Sequence, residues 1–225
     1  VMPCVAKKAE CALPTMRTEA GPDVDMSLTT RELVRMIRAD HLDPRSMPEE
    51  PLDDPMGVHT GAAVIFGATG GVMEAALRTA YAALTGENPD PDTFWDVRTG
   101  PGLREATYSI NGIEVRCAVV SGLGNARELI ENMKAGKASY DFVEVMACPG
   151  GCVGGGGQPI SVEDEERYGD RGGRLYTLDK ACTVRFSHEN PQVKEIYAEY
   201  LGAPLSELAE ELLHTDHNGW KMPNQ

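Results

Sequence analysis

The segment from Glu144 to Pro159 constrains this chain most, because it joins an apolar run to two cysteines and six glycines. At positions i and i+4, Cys148 and Cys152 would share one face of a helix, but the intervening Pro149-Gly150-Gly151 disfavours helix. The segment is therefore predicted to form an irregular loop after a strand. Glycines let such a loop approach a bound group closely, and successive backbone N–H groups can offset the charge of an anionic one.

Thiolates are soft ligands that suit iron–sulfur clusters and zinc, and an iron–sulfur cluster usually needs four of them. The obvious additional candidate is Cys4, which lies in the segment Met-Pro-Cys-Val-Ala-Lys-Lys. Zinc is the structural alternative, but one Cys-x-x-x-Cys pair with a third cysteine about 140 residues away does not resemble the paired ligands of zinc modules. We therefore favour an iron–sulfur cluster. The other cysteines, Cys11, Cys117 and Cys182, are predicted to be plain thiols, with Cys117 buried in an apolar strand.

Charge and cysteine content exclude several classes of function. With 21 basic and 35 acidic residues, the net charge is −14, which argues against binding to nucleic acid or to an anionic membrane. No apolar run approaches the roughly 18 residues of a membrane span. Six cysteines in 225 residues are too sparse for a secreted disulfide framework. We therefore expect metal ligation in a reducing, cytoplasmic compartment.

Short apolar strands alternating with helices predict an α/β fold in which helices flank a mostly parallel sheet. Thr29-Thr30-Arg31-Glu32 has the form of a capping box and predicts a helix start. Asn111-Gly112 between two apolar runs predicts a two-residue hairpin, which would add one antiparallel pair. Residues 142–147 are predicted to form a buried strand that delivers Cys148 at its carboxyl end, where ligands commonly bind in α/β sheets.

The rest of the chain is expected to hold loops and helices. The glycine turns near residues 67–71 and 122–127 open helices, but neither completes a phosphate-binding or dinucleotide-binding fingerprint. The charged segment from residue 160 to 180 is predicted to be rich in loops, and helices are predicted at 191–201 and 205–213. We expect residues 1–160 to form a cluster-binding α/β lobe and residues 161–225 a loop-rich and helical extension.

The two cysteine segments resemble the second and third cluster-binding motifs of the iron-only, or FeFe, hydrogenases. This resemblance extends through most of the chain, over residues 28–33, 66–81, 122–127, 187–191 and 212–215. It implies one lobe of the catalytic hydrogenase domain, which reversibly oxidises H2 and reduces protons. The last two of these segments, residues 187–191 and 212–215, resemble the longer cytosolic, multi-subunit hydrogenases. Those enzymes exchange electrons with ferredoxin and with NAD(H) or NADP(H).

The resemblance also implies a cofactor and its ligands. In the family, a 4Fe-4S cluster is joined through one cysteine sulfur to a diiron unit that carries cyanide, carbon monoxide and a bridging dithiolate amine. Cys4 and Cys148 match ligands of the cluster, and Cys152 matches the ligand whose sulfur bridges to the diiron unit. Lys7 matches the lysine that donates to a cyanide, a charge-assisted bond that suits an ammonium. Lys7 and Cys152 are thus the expected catalytic residues.

Five further positions match residues that surround the diiron unit in the family. Met2, Pro3 and Met146 match residues that pack on the diiron unit, and Phe66-Gly67 match a loop over its carbonyl side. Thioethers and a dry pocket would tune the metal electronics and exclude water.

The family's first motif, a Thr-Ser-Cys-Cys-Pro segment upstream of Met-Pro-Cys, does not occur in this sequence, which begins one residue before Met2. We therefore expect a C-terminal part of the catalytic domain that needs an upstream half for the fourth cluster ligand and is inactive alone. A second class shares the cysteine motifs, namely the cytosolic iron–sulfur assembly proteins related to nuclear prelamin A recognition factor. These proteins act as cluster carriers without a diiron unit. The fit of residues 66–81 to the hydrogenase form favours the enzyme.

Overall fold

The computed structural model of the protein describes residues 1–98, 102–160 and 167–214, in which strands and helices alternate. The strands are β1 (Arg17–Thr18), β2 (Gly21–Pro22), β3 (Gly102–Ile110), β4 (Ile113–Ser121) and β5 (Phe142–Met146). The helices are α1 (Lys7–Glu10), α2 (Thr30–Ala39), α3 (Gly61–Ile65), α4 (Gly71–Thr85), α5 (Leu123–Lys134), α6 (Tyr168–Ala181), α7 (Pro191–Ile196), which continues as a π-helical turn (Tyr197–Leu201), and α8 (Glu207–Leu213).

The main sheet has the strand order β3-β4-β5. Strands β3 and β4 form an antiparallel hairpin that closes at Asn111-Gly112, where both residues have positive φ, 49° and 79°. The predicted hairpin is thus confirmed. Strand β5 pairs in parallel with β4, and α5 provides the crossover connection between them.

The predicted α/β class is confirmed, although the described sheet is mixed rather than mostly parallel. The parallel part of this sheet is limited to the β4–β5 pair, and the segment before α2 does not form a full strand. There, Met2 makes only an isolated parallel bridge with Thr29. The capping box that begins α2 is confirmed: the Thr29 hydroxyl accepts from Glu32 N at 3.2 Å, and the Glu32 carboxylate accepts from Thr29 N at 2.8 Å.

Strand β4 lies at the centre of the core, with helices on both of its faces. Cys117 and Val119 belong to an apolar cluster with Met73 and Leu77 of α4. Ala118 and Val120 point to the opposite face, where they pack with Ala126 and Leu129 of α5. The alternation of side chains along a strand explains why every one of these β4 residues is buried. Burial raises the pKa of the Cys117 thiol to about 11, as expected for a structural cysteine.

The expectation that residues 160–180 are rich in loops is wrong for the part that the structure describes, since residues 168–181 form the helix α6. Three glycines inside α6, Gly169, Gly172 and Gly173, weaken its intrinsic propensity, and tertiary packing overrides that weakness. A Cβ atom built at Gly61 of α3 would lie 2.9 Å from Asp179 Cγ, so α3 and α6 are in close contact. Residues 161–166 lie outside the described residues.

A buried ion network ties α6 to α4. The Arg78 guanidinium donates to Asp179 Oδ2 at 2.9 Å and to Glu74 Oε1 at 2.7 Å, and all three side chains are fully buried. Arg98 also pairs with Glu74, and Arg185 pairs with Asp179. Burial alone would raise the pKa of Asp179, but the hydrogen bonds from Arg78 and Arg185 outweigh it and hold that pKa below its usual value.

The predicted helices at 191–201 and 205–213 are confirmed in substance by α7 with its π-helical turn and by α8. Asn190 caps α7, since its side chain accepts from the backbone N–H groups of Gln192 and Val193. The division of the chain at residue 160 stays a prediction. None of the helices in the described ranges is long and apolar enough to cross a membrane.

Candidate metal centre

The loop that carries Cys148 and Cys152 follows directly after β5 and is irregular, as the sequence predicts. Gly150 and Gly151 have φ of 77° and 93°, a region that glycine enters without strain. Gly151 N donates to Cys148 O at 3.0 Å, and Gly155 N donates to Cys152 O at 2.9 Å. These short-range bonds turn the chain tightly around the two cysteines.

This cysteine loop, residues 148–157, packs against the segment between α3 and α4. Val153 N donates to Gly67 O at 2.9 Å, and Thr69 N donates to Gly150 O at 3.0 Å. A Cβ atom built at Gly151 would lie 2.6 Å from Thr69 N, closer than a side chain can approach a backbone atom. Glycine is therefore required at position 151 both by φ and by the neighbouring backbone.

The chain start packs against the other side of the cysteine loop. Gly157 N donates to Pro3 O at 3.1 Å, and a Cβ atom built at Gly157 would lie 2.8 Å from Cys4 N. Thr30 N donates to Met2 O at 3.1 Å, which anchors the chain start to the beginning of α2. The structure thus brings the Cys4 segment and the cysteine loop together, although about 140 residues separate them.

Cys4 and Cys148 both lie within electrostatic reach of Cys152. Burial raises the pKa of Cys152, and the neighbouring Cys4 and Cys148 raise it further, because a second negative charge would be unfavourable there. The positive charge of Lys7 acts in the opposite direction on Cys152. A bound metal would remove this repulsion, since it neutralises the thiolates that it binds.

Lys7 is the first residue of α1 and lies near the thiols. Its Nζ pairs with Glu10 Oε2 at 2.6 Å, and this hydrogen bond raises the pKa of Lys7 despite the opposing effect of burial. The charges of Cys4 and Cys152 raise the Lys7 pKa as well. The adjacent Lys8 instead donates to Ser27 O and pairs with Glu32, both at 2.9 Å. Of these two lysines, Lys7 is the one beside the cysteines.

The remaining candidates occupy different surroundings. Met2 and Pro3 are half-buried beside the cysteine loop, and Gly67 accepts the hydrogen bond from Val153 described above. Met146 is half-buried at the end of β5. The Phe66 side chain is 45% exposed and lines an apolar groove along α4, so it is not enclosed with the cysteines in this structure.

The role of Glu144 was not predicted from the sequence. In β5, Phe142 and Val145 are exposed, whereas Glu144 is buried, which corrects the expectation of a buried apolar strand. Its carboxylate accepts from Gly70 N at 2.6 Å and from Met73 N at 2.7 Å, and it thereby caps α4. Burial raises the pKa of Glu144, and these N–H groups oppose that rise. A lone acid inside an apolar strand was the available signal.

The donor set can be tested against the candidate metals. In the described part of the chain, no group of three or more His, Cys, Asp or Glu side chains could hold a single metal ion. This disfavours zinc. The cysteines of a four-iron cluster each bind a different iron atom, so they stand further apart than the ligands of one ion. Three neighbouring thiols around a glycine-lined loop, with a lysine beside them, fit such a cluster when a fourth ligand comes from elsewhere.

Two family models match the chain. The iron only hydrogenase large subunit, C-terminal domain, matches residues 1–156, and the iron hydrogenase small subunit matches residues 165–220. Over 217 residues the chain is 48% identical to NADP-reducing hydrogenase subunit HndD of Solidesulfovibrio fructosivorans, covering 96% of this chain and 37% of that protein. It is 31% identical to cytosolic iron-sulfur assembly component 3 of Mus musculus, covering 100% of this chain and 48% of that protein.

A solved structure shows the same fold. A variant of the [FeFe]-hydrogenase HydA1 from Chlamydomonas reinhardtii superposes with a TM-score of 0.75 at 41% identity, over 95% of this chain and 61% of that one. The chain thus spans less than two thirds of the length of each of these relatives. The large-subunit model covers more than half of the chain, including every candidate site residue. The protein therefore belongs to the iron-only hydrogenases and contains the C-terminal domain of their large subunit.

Proposed function

We propose that this protein forms part of an FeFe-hydrogenase that reversibly oxidises H2 and reduces protons. The observation that carries the proposal is the packing of the Cys4 segment against the loop that carries Cys148 and Cys152, since Gly157 N donates to Pro3 O at 3.1 Å and a Cβ atom at Gly157 would lie 2.8 Å from Cys4 N. The 48% identity to an NADP-reducing hydrogenase subunit supports the same activity. When bound, a 4Fe-4S cluster joined to a diiron unit would supply the redox chemistry.

Each site residue has a proposed role. Cys4, Cys148 and Cys152 would hold the 4Fe-4S cluster, and the family resemblance assigns the link to the diiron unit to the Cys152 sulfur. The Lys7 ammonium would donate a hydrogen bond to a cyanide ligand; its hydrogen bond to Glu10, and to a lesser extent the charges of Cys4 and Cys152, raise its pKa. The family resemblance assigns the packing around the diiron unit to the remaining five candidates, which are Met2, Pro3, Phe66, Gly67 and Met146.

The partners follow from the incomplete ligand set. Cys4, Cys148 and Cys152 provide three of the four cluster ligands, so the upstream half of the catalytic domain provides the fourth. We propose ferredoxin and NAD(P)H-linked subunits as electron partners, supported by the likeness to HndD. We further propose a cytoplasmic location, since a reducing compartment preserves free thiols. The present chain without an upstream half would be inactive.

A second candidate function is that of an iron–sulfur cluster carrier. The 31% identity to cytosolic iron-sulfur assembly component 3 along the whole chain supports it. The higher identity to the hydrogenases favours the enzyme. A carrier would bind the cluster but no diiron unit, so the two functions differ in measurable iron content and activity.

The test uses the full-length protein, purified without oxygen and matured with the diiron unit. Iron and sulfide content would be measured together with hydrogen evolution from a reduced viologen dye. Cys148→Ala should abolish cluster binding, whereas Cys182→Ala, a change at a cysteine away from the loop, should not. Hydrogen evolution that depends on Cys148 supports the hydrogenase. Iron and sulfide without hydrogen evolution favours the carrier, and no bound iron refutes both.

A further inference from the structure

Helix α6 lies in the segment that matches the small-subunit model, yet one face of it contacts the cysteine loop and its surroundings. Tyr168, Arg171, Leu175 and Asp179 recur at intervals of three and four residues, so they share one side of the helix. The first two contact the cysteine loop, and the third contacts the neighbouring glycine segment. The fourth enters the buried ion network.

Arg171 bridges two carbonyl groups on either side of the glycine run, residues 154–157. Its Nη1 donates to Val153 O at 3.1 Å, and its Nη2 donates to Pro159 O at 2.8 Å. A planar guanidinium presents its donors in a fixed arrangement, so one side chain can fix the separation of two acceptors. Arg31 of α2 donates from Nη2 to Gly156 O at 2.6 Å between these two points. Arginines of two different helices therefore hold the glycine run.

Tyr168 and Leu175 occupy space that the glycines leave open. A Cβ atom built at Gly150 would lie 2.7 Å from Tyr168 Cβ, and one built at Gly154 would lie 3.3 Å from the same atom. A Cβ atom built at Gly67 would lie 2.8 Å from Leu175 Cδ1. The α6 side chains thus pack directly on the backbone that surrounds Cys148 and Cys152.

The far end of α6 is fixed to the core. Asp179 is fully buried and pairs with Arg78 of α4 and with Arg185. Because a helix is stiff over this length, an anchor at Asp179 also fixes Arg171, which lies about two turns away. The contacts of α6 are therefore set by the core rather than by the loop that it touches.

We propose that α6 completes the cluster site, with Arg171 as a positioning residue that holds the cysteine loop in its ligating conformation. The inference rests on the proposed function. It assigns to the small-subunit-like segment a direct part in retaining the 4Fe-4S cluster, in addition to its contribution to folding. An arginine that ties two loop carbonyls limits how far Cys152 can move when the cluster is attacked or released.

The experiment compares Arg171→Gln with Arg174→Gln in the full-length, cluster-loaded protein. Arg174 lies on the same helix and is exposed, and it has no side-chain hydrogen bond or ion pair with another described residue. Three quantities would be measured for each variant. They are the rate of iron loss to a chelator, the electron paramagnetic resonance spectrum of the reduced cluster and the thermal midpoint of the apo protein. Charged hydrogen bonds of this kind lead us to expect about tenfold faster iron loss in Arg171→Gln.

If Arg171 positions the loop, Arg171→Gln should show a changed cluster spectrum and faster iron loss. The thermal midpoint of its apo protein should stay close to that of Arg174→Gln. Arg171→Lys, which keeps one donor, should give an intermediate rate and also tests the inference if Arg171→Gln fails to fold. Equal rates of iron loss in the unchanged protein and the Arg171 variants would overturn this inference alone. An unchanged protein that binds no cluster would overturn the proposed function and the inference with it.

Discussion

Replacing Gly155 by alanine should push the Cys4 segment away from the cysteine loop. Gly155 has φ −64° and ψ 150°, which alanine adopts readily. Its added methyl group, however, would overlap Pro3 O and lie 3.1 Å from Pro3 C, and it would also lie 2.9 Å from Cys152 O within the loop. An ordinary contact needs 3.4–4 Å, so the Pro3 carbonyl must withdraw, by roughly 1 Å or more, and Cys4 moves with it.

The cost can be worked from these contacts. Overpacking against backbone costs about 1–3 kcal/mol. The hydrogen bond from Gly157 N to Pro3 O at 3.1 Å would also break, which adds about 0.5–1.5 kcal/mol. Without a cluster, the chain start can move aside and relieve most of this strain. With a cluster, Cys4 must stay in place, so the cost of about 1.5–4.5 kcal/mol falls on cluster affinity, a loss of about tenfold or more.

The neighbouring glycine provides a matched control. A Cβ atom at Gly156 would meet only Val5 Cγ2, at 3.8 Å, so Gly156→Ala should bind the cluster as the unchanged protein does. Both substitutions reduce the freedom of the unfolded chain similarly, so that effect cancels in the comparison. The assay is iron and sulfide content of the full-length protein after anaerobic titration with a chelator. The reasoning is refuted if Gly155→Ala and Gly156→Ala retain iron equally well.

Three further predictions concern charged residues. Arg78→Met should lower the free energy of unfolding by about 3–5 kcal/mol, measured by urea denaturation, because it leaves the buried Glu74 and Asp179 short of a partner; a loss below about 1 kcal/mol would contradict this. The Thr29 backbone amide and Lys8 lower the pKa of Glu32 from 4.5 to about 2, so the stability it contributes is present above pH 4.5 and is lost as pH falls towards 2. The thermal midpoints of the unchanged protein and Glu32→Gln should converge over that interval, and a constant difference would argue against the assignment. Lys7→Asn should impair diiron retention or hydrogen evolution while Lys8→Asn does not, and equal activities would remove the proposed role of Lys7.

Local chemistry accounts for what could be predicted from the sequence. The capping box at Thr29 and Glu32 and the turn at Asn111-Gly112 depend on neighbouring residues alone, and both form as expected. Helix α6 could not be predicted in this way, because Asp179 stabilises it through Arg78, which lies 101 residues away in the sequence.

In the candidate site, too, features that depend on neighbouring residues could be predicted, whereas contacts between distant residues could not. The irregular course of the cysteine loop follows from its own proline and glycines. Cys4 was a candidate because a cluster needs more than two thiolates, and the family resemblance supported it, although nothing in its local sequence indicates which loop it meets. Glu144 caps α4 by accepting from Met73 N and Gly70 N, which lie 71 and 74 residues away in the sequence. Local sequence patterns could not predict these contacts either.

The buried pair of Arg78 and Asp179 also bears on how such proteins are assembled. Arg78 lies in the part that matches the large subunit, and Asp179 lies in the part that matches the small subunit. Two separate polypeptides would lose several kcal/mol of translational and rotational freedom on forming this contact. On one chain the contact is intramolecular, at an effective concentration in the millimolar range. Translation of a single chain then produces the large-subunit part and the small-subunit part in equal amounts. The large-subunit part is therefore never made without the helix that packs on its cysteine loop.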